Sequence, residues 1–309
     1  MRVIFMGTPD FAVPSLEALL TKHEVVLVVT QPDKPKGRGK KMVPTPVKAC
    51  ALEHGIPVLQ PEKVKEPEFV EQLRSYEPDL IAVTAFGQIL SEPILEMPKY
   101  GCINVHGSLL PKYRGAAPMQ WSIIDGEKVT GITTMYMAKG LDSGDMLLKA
   151  EVEITDEDTF ATIHDKMAVT GANLLLDTLD QLEAGTLERI PQDHDAATYA
   201  PMITKETGHI DWSKNRQDII NLIRGLNPVP AAYTIYEEEV LKIFGAVISD
   251  VQADDAANGE IVAVVKKGFV VKCGDGCLLI TEVQARGGKR MMTDAYLRGH
   301  AVKEGILLQ

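Results

Sequence analysis

Residues 101–111 read Gly-Cys-Ile-Asn-Val-His-Gly-Ser-Leu-Leu-Pro, and the rest of the fold can be predicted outward from this stretch. The short apolar run at 102–105 follows a glycine and predicts a buried strand. Asn104 and His106 lie two residues apart, so their side chains share one face of that strand. Both stand at its carboxyl end, where open parallel sheets hold their ligands. The stretch therefore predicts a site as well as a strand.

Strand and helix patterns alternate on both sides of this stretch. Apolar runs predict strands at 2–6, 24–29, 57–59, 80–84, 102–105, 131–137 and 146–154. Helical patterns are found at 14–20, 46–54, 67–76, 117–124 and 159–183. Such alternation predicts an α/β fold with a doubly wound, mostly parallel, Rossmann-like sheet. The last two strands would form a hairpin-like pair around Asp142.

The pattern changes after residue 190. Residues 190–204 contain Pro191, Pro201 and scattered polar residues, and we interpret them as a linker. A helix is predicted at 217–226, and short β-branched runs broken by glycines lie at 232–235, 240–248, 259–265, 268–273 and 277–283. This spacing predicts a small C-terminal β-barrel, of the size of OB-like barrels and of other small barrels. The predicted organisation is a catalytic domain at 1–189, a linker at 190–204 and a barrel domain at 205–309.

Charge is distributed unevenly along the 309 residues, whose net charge is −11. Residues 205–309 carry 14 acids and 13 bases, so almost all of the negative excess lies in residues 1–204. A protein that binds a polyanion without specificity is usually basic overall. Any contact with nucleic acid must therefore use local basic patches.

Cysteine content and hydropathy predict the compartment. Four cysteines are too few for a disulfide scaffold and fit a reducing cytoplasm. Residues 1–7 are too short for a signal peptide, and no apolar run approaches the ~20 residues of a membrane-spanning helix. We expect a cytoplasmic protein without a membrane partner.

Asn104, His106 and Asp142 form the candidate catalytic group. An asparagine N–H and a protonated histidine can both donate to a developing oxyanion, and a nearby carboxylate can keep the imidazole charged or accept a proton. The alternative is structural: a turn-capping asparagine, a buried histidine with its hydrogen bonds satisfied, and an aspartate in a turn. Serine hydrolase chemistry is less well supported, because no Gly-x-Ser-x-Gly elbow occurs. Cys102, between apolar residues, is interpreted as part of the core.

Two classes of cofactor are not predicted. The turn after the first strand, Gly7-Thr8-Pro9-Asp10, is not the Gly-x-Gly-x-x-Gly of dinucleotide-binding folds, so a nicotinamide cofactor is not expected. Cys273 and Cys277 have no second ligand pair, and the residues between them indicate a hairpin turn. No metal is expected.

Two basic clusters are candidates for binding phosphates. The first lies within 31–48 and has Asp33 as its single acid; its bases are Lys34, Lys36, Arg38, Lys40, Lys41 and Lys48. Its glycines make it pliable and its four prolines predict no regular structure, so it could order on a phosphate backbone. The second cluster comprises Arg286, Lys289 and Arg290. For both, the alternative is a solvated surface.

Taken together, these motifs resemble the 10-formyltetrahydrofolate-dependent formyltransferases over essentially the whole chain. The resemblance is carried by 5–12 (Phe-Met-Gly-Thr-Pro-Asp-Phe-Ala), 31–33 (Gln-Pro-Asp), 37–41 (Gly-Arg-Gly-Lys-Lys), 103–111, 113–118 (Tyr-Arg-Gly-Ala-Ala-Pro) and 140–145 (Gly-Leu-Asp-Ser-Gly-Asp). Asn-x-His and Leu-Asp-x-Gly mark the wider family. The basic loop, the opening Gly-Thr-Pro and the second domain narrow the resemblance to members that act on initiator tRNA. Gly107, where many relatives are expected to have alanine, is a mild departure.

The resemblance implies transfer of a formyl group from 10-formyltetrahydrofolate to the free amino group of methionyl initiator tRNA, for translation initiation, by a monomer. Asn104 and His106 would stabilise the oxyanion, and Asp142 would orient and charge His106. The implied folate-binding residues are Phe86, Gly87, Gln88, Ile89, Leu90, Ser108, Leu109, Leu110 and Pro111. The implied tRNA-binding residues are Lys34, Lys36, Arg38, Lys40, Lys41, Arg286, Lys289 and Arg290.

Three other readings remain open at this point. The first is a formyl-folate enzyme that acts on a small amine, which should not need the basic loop or the barrel. The second is a hydrolase that releases formate with the same three residues. The third is a noncatalytic tRNA-binding protein, against which Asn104, His106 and Asp142 argue.

Overall fold

The computed structural model describes residues 1–36 and 41–309, and the chain divides into two compact units. The first unit consists of Met1–Pro118, Thr130–Glu153 and His164–Ala200. The second unit consists of Met119–Val129, Ile154–Ile163 and Pro201–Gln309. The domain boundaries predicted at 189 and 205 stay a prediction.

The described residues up to Ala200 contain one large sheet and two short strand pairs. The strands are β1 (Arg2–Gly7), β2 (Glu24–Val29), β3 (Lys34–Lys36), β4 (Lys41–Val43), β5 (Val58–Leu59), β6 (Leu80–Thr84), β7 (Cys102–His106), β8 (Arg114–Gly115), β9 (Val129–Tyr136), β10 (Met146–Glu153) and β11 (Tyr199–Ala200). The helices are α1 (Val13–Leu20), α2 (Pro46–Glu53), α3 (Pro67–Arg74), α4 (Glu92–Leu95), α5 (Pro118–Ile124) and α6 (Phe160–Ala184).

The large sheet has the strand order β10-β9-β7-β6-β1-β2-β5. Pairing is parallel from β5 to β7, and β7 pairs antiparallel with β9. From β1 the chain adds β2 and β5 on one side and then returns to add β6 on the other. The topological switch point, where open α/β sheets bind ligands, therefore lies between β1 and β6.

Both faces of this sheet are covered, as its apolar strands require. Four successive residues of β1, at 3–6, are completely buried. On one face Ile4 and Ile81 pack in a common core with Leu73 of α3. On the other face α6 comes close to β7 at Gly171, beside Val105. The predicted mostly parallel, doubly wound sheet is confirmed, as is the neighbouring of β9 and β10 around Asp142.

The expectation of no regular structure in 31–48 is wrong for its described residues. Strands β3 and β4 pair antiparallel, with Lys34 opposite Val43 and Pro35 opposite Met42. A two-stranded ribbon consists only of edge strands, on which proline is tolerated because not every N–H is needed for pairing. We call residues 34–36 and 41–43 the basic ribbon.

The second unit is dominated by an antiparallel sheet. Its elements after residue 200 are α7 (Arg216–Gly225), β12 (Ala232–Tyr236), β13 (Glu239–Ser249), β14 (Ile261–Val265), β15 (Gly268–Cys273), β16 (Gly276–Ala285), β17 (Met291–Met292) and α8 (Thr293–Leu297). The strand order is β12-β13-β16-β15-β14, and β17 pairs with β16. The C-terminal segment bonds to both edges: Gln309 exchanges backbone hydrogen bonds with Ile235 of β12, and Leu308 N donates to the carbonyl of Gly259, next to β14. The predicted β-rich second part is confirmed.

Two further observations concern the described residues alone. No helix among them is both long and apolar enough to cross a membrane. The same residues contain no group of three or more His, Cys, Asp or Glu side chains placed to hold a metal ion.

Candidate active site

His106 ends β7 with its ring almost entirely buried. Its Nε2 lies 3.0 Å from the carbonyl oxygen of Tyr113. A carbonyl oxygen can only accept, so Nε2 carries a proton and donates it. The other nitrogen, Nδ1, faces Oδ2 of Asp142 at 3.7 Å, which is too long for a direct hydrogen bond. Asn104, two residues earlier on the same strand, is half-buried.

Asp142 lies in the connection between β9 and β10, which we call the Asp142 loop (residues 137–145). Its Oδ2 accepts a hydrogen bond of 2.8 Å from the backbone N–H of Gly115. Its backbone has φ +44°, in the left-handed region. The carboxylate is thus fixed in direction by the backbone of another segment, and the imidazole of His106 lies beside it. The structure therefore brings His106 and Asp142 together, as the sequence predicts.

The segment between these two contacts is β8, Arg114–Gly115. It pairs with β11, and the backbone N–H groups of Arg114 and Ala116 donate to the carbonyls of Thr198 and Ala200. Gly115 has φ +120°, and a Cβ there would lie 2.7 Å from the Ala200 carbonyl oxygen. Only glycine fits that backbone position without displacing β11.

Three of the seven non-glycine residues with left-handed backbone in the described part of the chain lie near the candidate site. Ala85, Tyr113 and Asp142 have φ values of +46°, +58° and +44°. Such conformations are uncommon for these residue types and persist where surrounding contacts enforce them, often at functional sites. Ala85 directly precedes the predicted folate segment 86–90, the Tyr113 carbonyl bonds to His106, and Asp142 is itself a candidate catalytic residue.

Sequence reasoning assigned no role to Arg114 and Gln192, which form a buried pair behind Asp142. The Arg114 guanidinium donates from Nε and Nη2 to Gln192 Oε1 at 3.0 and 2.7 Å. Gln192 Nε2 donates to the backbone carbonyls of Asp142 and Gly144, both at 2.8 Å. The two residues are 78 positions apart, so no local pattern could have connected them. The sequence pointed to Arg114 only as a member of segment 113–118, one of the segments that carry the family resemblance.

The predicted folate-binding segment 86–90 follows β6 at the switch point. Phe86 and Leu90 are buried in the core, whereas the side chain of Ile89 is 85% exposed. Gly87 has φ +86°. The carbonyl of Phe86 accepts hydrogen bonds from the Thr8 hydroxyl and from the side chain of Gln31. The segment therefore presents backbone groups and one apolar side chain.

Gln88, in the middle of that segment, serves to anchor it. Its Oε1 accepts from the backbone N–H of Val64 at 2.8 Å, and its Nε2 donates to the Pro61 carbonyl at 3.1 Å. The side chain of Gln88 thus fixes segment 86–90 to the backbone of residues 61–64.

The second predicted folate segment, 108–111, is also pinned from inside the fold. Ser108 Oγ donates to the Lys112 carbonyl, and Thr133 Oγ1 donates to the Ser108 carbonyl and accepts from Leu110 N. Leu110 is fully buried, and its carbonyl accepts from Lys149 Nζ at 2.5 Å. Burial lowers the pKa of Lys149. Lys112 N donates to the Leu109 carbonyl. The backbone of this segment is thus largely bonded within the fold, and the side chains of Leu109 and Pro111 are half-buried.

Cys102 lies on the same strand as His106 but away from the chemistry. It is 2% exposed and packs in the core beside α3 and α4. Burial raises the pKa of its thiol to about 12. A thiol in this state is a poor nucleophile, which agrees with its interpretation as a core residue.

In the basic ribbon, Lys34 is exposed on β3, and the backbones of residues 36 and 41 stand opposite each other in the strand pair. Arg38 and Lys40 lie outside the described residues. Lys48, counted from sequence among the loop bases, instead holds the base of the ribbon. Its Nζ bonds to Asp33 Oδ2 at 2.6 Å and to Gln60 Oε1 at 2.7 Å, and the hydrogen bonds from Lys48 and Gln60 lower the pKa of Asp33.

The second basic cluster belongs to the second unit and is partly neutralised there. Arg290 makes two 2.7 Å bonds to the carboxylate of Glu282 and lies over the ring of Phe244. Arg286 pairs with Glu239 at 3.1 Å and is mostly exposed. Lys289 is exposed.

Comparison with known proteins identifies the class to which this fold and site belong. The family profile described as formyl transferase matches residues 1–179, and that of the formyl transferase C-terminal domain matches residues 202–301. The chain belongs to the formyl transferase family.

Relatives of nearly equal length narrow this assignment. The methionyl-tRNA formyltransferase of Acetivibrio thermocellus is 54% identical over 309 residues, which are 100% of this chain and 99% of that protein. The methionyl-tRNA formyltransferase of Clostridioides difficile is 49% identical over 309 residues, with 100% of both chains covered. The resemblance predicted from the sequence, to a formyltransferase that acts on an aminoacylated tRNA, is confirmed as a resemblance to methionyl-tRNA formyltransferases.

Solved structures of lower identity share the fold. The sugar 3N-formyl transferase WlaRD, crystallised with dTDP and 5-N-formyl-THF, has a TM-score of 0.67 at 19% identity, covering 92% of this chain and 97% of that one. HypX from Aquifex aeolicus in complex with tetrahydrofolic acid has a TM-score of 0.64 at 18% identity. The match covers 98% of this chain and 48% of HypX, so this chain spans about half the length of HypX. Folate thus occurs in crystals of proteins that share this fold.

Proposed function

We propose that this chain transfers the formyl group of 10-formyltetrahydrofolate to the α-amino group of methionyl initiator tRNA. The observation that carries the proposal is the full-length likeness to methionyl-tRNA formyltransferases, at 54% identity in one relative. The placement of His106 beside Asp142 at the carboxyl edge of the sheet supports it, because this chemistry needs a donor and a proton acceptor at a carbonyl group.

The amine nitrogen attacks the formyl carbon, a new C–N bond forms, and the carbonyl π electrons move to oxygen. Asn104 and the Nδ1 side of protonated His106 donate to this oxyanion. Because Nε2 is committed to the Tyr113 carbonyl, Nδ1 is the nitrogen available for the task. Preorganised donors of this kind are among the largest contributors to acyl-transfer catalysis.

Asp142 has two roles in this proposal. Its negative charge, 3.7 Å from Nδ1, stabilises the imidazolium form of His106. Its carboxylate also accepts the proton that the amine loses on attack. When the intermediate collapses, the bond from the formyl carbon to folate N10 breaks and N10 takes up the proton. No covalent bond to the protein is needed.

The folate substrate is assigned to segments 86–90 and 108–111, which follow the neighbouring strands β6 and β7. Their buried side chains, Phe86, Leu90 and Leu110, fix both segments, and backbone groups of 86–90 are assigned to the pterin. The exposed side chain of Ile89 offers apolar surface to an aromatic ring. Gly87, Gln88, Ser108, Leu109 and Pro111 complete the proposed contacts.

The tRNA substrate is assigned to the two basic clusters. Lys34, Lys36, Arg38, Lys40 and Lys41 contact phosphates of the acceptor end, and Arg286, Lys289 and Arg290 provide further phosphate contacts from the second unit. Because the chain has a net charge of −11, binding through these local clusters should fall steeply with salt.

The test is acid-gel analysis of methionyl initiator tRNA incubated with the protein and 10-formyltetrahydrofolate. Methionyl elongator tRNA is the control acceptor. Formylation of the initiator alone is expected. Donor consumption without formylated tRNA would favour a small amine or water as acceptor, and would contradict the proposal, as would no reaction at all.

A further inference from the structure

Three consecutive residues contact three different parts of the candidate active site. The carbonyl of Tyr113 accepts from His106 Nε2, and the N–H of Gly115 donates to the Asp142 carboxylate. Between them, the Arg114 side chain reaches Gln192, which bonds to the backbone of the Asp142 loop. A single segment thus fixes the imidazole, the carboxylate and the loop that carries the carboxylate.

Gln192 is bonded through both ends of its amide. Its Oε1 accepts two N–H groups of one guanidinium, so the amide cannot turn over without losing both bonds. Its Nε2 has two hydrogens, and the carbonyls of Asp142 and Gly144 each accept one at 2.8 Å. These bonds bracket Asp142 and oppose any change in its left-handed backbone.

The Arg114 guanidinium is buried, which has a cost in free energy. The residue is 4% exposed, and the atoms that accept from its guanidinium in the described part of the chain are Gln192 Oε1 and His194 Nδ1, the latter at 3.1 Å from Nη2. Placing a charge in the interior opposite neutral acceptors is unfavourable relative to an apolar or ion-paired alternative. A fixed charge does, however, strengthen and orient the hydrogen bonds it makes.

We propose that Gln192, oriented by Arg114, is a positioning residue that holds the Asp142 carboxylate in register with His106 for the proposed formyl transfer. Gln192 touches neither substrate and acts through the backbone of residues 142 and 144. The inference rests on the proposed function for its kinetic consequence, but not for its structural one.

The variant that isolates this role is Gln192→Glu. Its carboxylate still accepts both N–H groups of Arg114 and neutralises that charge, so the buried arginine keeps a partner. It can no longer donate to the carbonyls of Asp142 and Gly144, and instead repels them. Gln72→Glu is the matched control, because it makes the same chemical change at an exposed position of α3.

Two measurements test the proposal on the full chain. Peptide-resolved hydrogen exchange should be faster in the Asp142 loop of Gln192→Glu, and unchanged in Gln72→Glu. In the formylation assay, kcat of Gln192→Glu should fall roughly 10- to 100-fold with KM for both substrates unchanged, since a small misplacement of a catalytic group has effects of this size.

Faster exchange together with a loss confined to kcat supports the positioning role. Unchanged exchange in the Asp142 loop, or wild-type kcat in a Gln192→Glu protein that retains its thermal stability, would overturn it. A kcat loss that merely follows reduced thermal stability would also overturn it. If the wild-type chain formylates no tRNA, the proposed function fails, and the exchange measurement still decides whether Gln192 holds the loop.

Discussion

Asp142 and Lys34 are both charged residues on connections that leave strands of the first sheet, yet their surroundings differ. The Asp142 carboxylate accepts a bond from Gly115, and its backbone is held by Gln192. Lys34 is exposed on a two-stranded ribbon whose base is fixed by the ion pair of Asp33 with Lys48. At the residue proposed for chemistry the chain holds the charge in one direction, whereas at Lys34, proposed for binding a polyanion, the charge is exposed to water.

The comparison has kinetic consequences. Groups that are held in place act on the transition state, so their loss should reduce kcat. Groups on the ribbon act on substrate binding, so their loss should raise KM for tRNA and alter its salt dependence. Three substitutions below test this division by kinetics and two test the same contrast by stability, in order of decreasing effect.

The largest effect is expected for His106→Ala. Removal of the imidazole takes away an oxyanion donor and the partner of Asp142, so kcat should fall by roughly 10³-fold while KM for tRNA is unchanged. Steady-state formylation kinetics provide the measurement, with His54→Ala, at an exposed histidine, as control. A rise in KM with wild-type kcat would break the division between the two regions.

Asp142→Asn should come next. Asparagine retains an oxygen that can accept from Gly115 N, so thermal stability should stay near that of the wild type. It lacks the charge that favours protonated His106 and cannot accept the amine proton, so kcat should fall by about 10²-fold. Full activity of a correctly folded variant would show that Asp142 has only a structural role in its turn.

Arg38→Ala tests the other side of the comparison. The loss of one charge-assisted phosphate contact should raise KM for tRNA about tenfold, equivalent to ~1.4 kcal/mol, with folate binding unchanged. The slope of log KM against log salt should also become shallower by about 0.7 to 0.9. Unchanged tRNA kinetics would refute the role assigned to this loop.

The smallest effect is expected in the second unit. There Arg290 is fixed by contacts, like Asp142, whereas Arg286 is mostly exposed, like Lys34. Arg290→Ala removes bonds to Glu282 and a contact with Phe244, so the free energy of unfolding should drop by about 1 kcal/mol. Arg286→Ala breaks one exposed pair and should change stability by less than about 0.5 kcal/mol. Urea denaturation compares the two, and equal losses would show that the contacts of Arg290 contribute no more stability than the exposed pair of Arg286.

Much of this arrangement could be predicted because it depends on local patterns. The run at 80–84, which follows Asp79, gives a strand with the bounds observed. The two-residue spacing of Asn104 and His106 places both on one face of a strand that ends at His106. These predictions use only the periodicity of buried side chains, which each strand carries in its own sequence.

The remainder depends on contacts between distant segments. Arg114 and Gln192 are joined across 78 positions, and neither has a local pattern that points to the other. Lys48 looks like one more base of a solvated loop, but Asp33 and Gln60 bind it at the base of the ribbon. Sequence also cannot show that Phe86 is turned into the core while Ile89 is turned outward. Such details arise only when the segments are assembled.

The second unit is built from three separate stretches of the chain, 119–129, 154–163 and 201–309, and this affects how genes of the family can recombine. The C-terminal family profile begins at residue 202, but Arg224 of α7 donates to the carbonyls of Thr155 and Asp158, and Ala161 N donates to the Asn227 carbonyl. A crossover near residue 200 would therefore join residues 201–309 from one parent to hydrogen-bond partners at 154–163 inherited from the other. Exchange is expected to succeed between parents that match at 119–129 and 154–163, so these two stretches should be inherited together with residues 201–309.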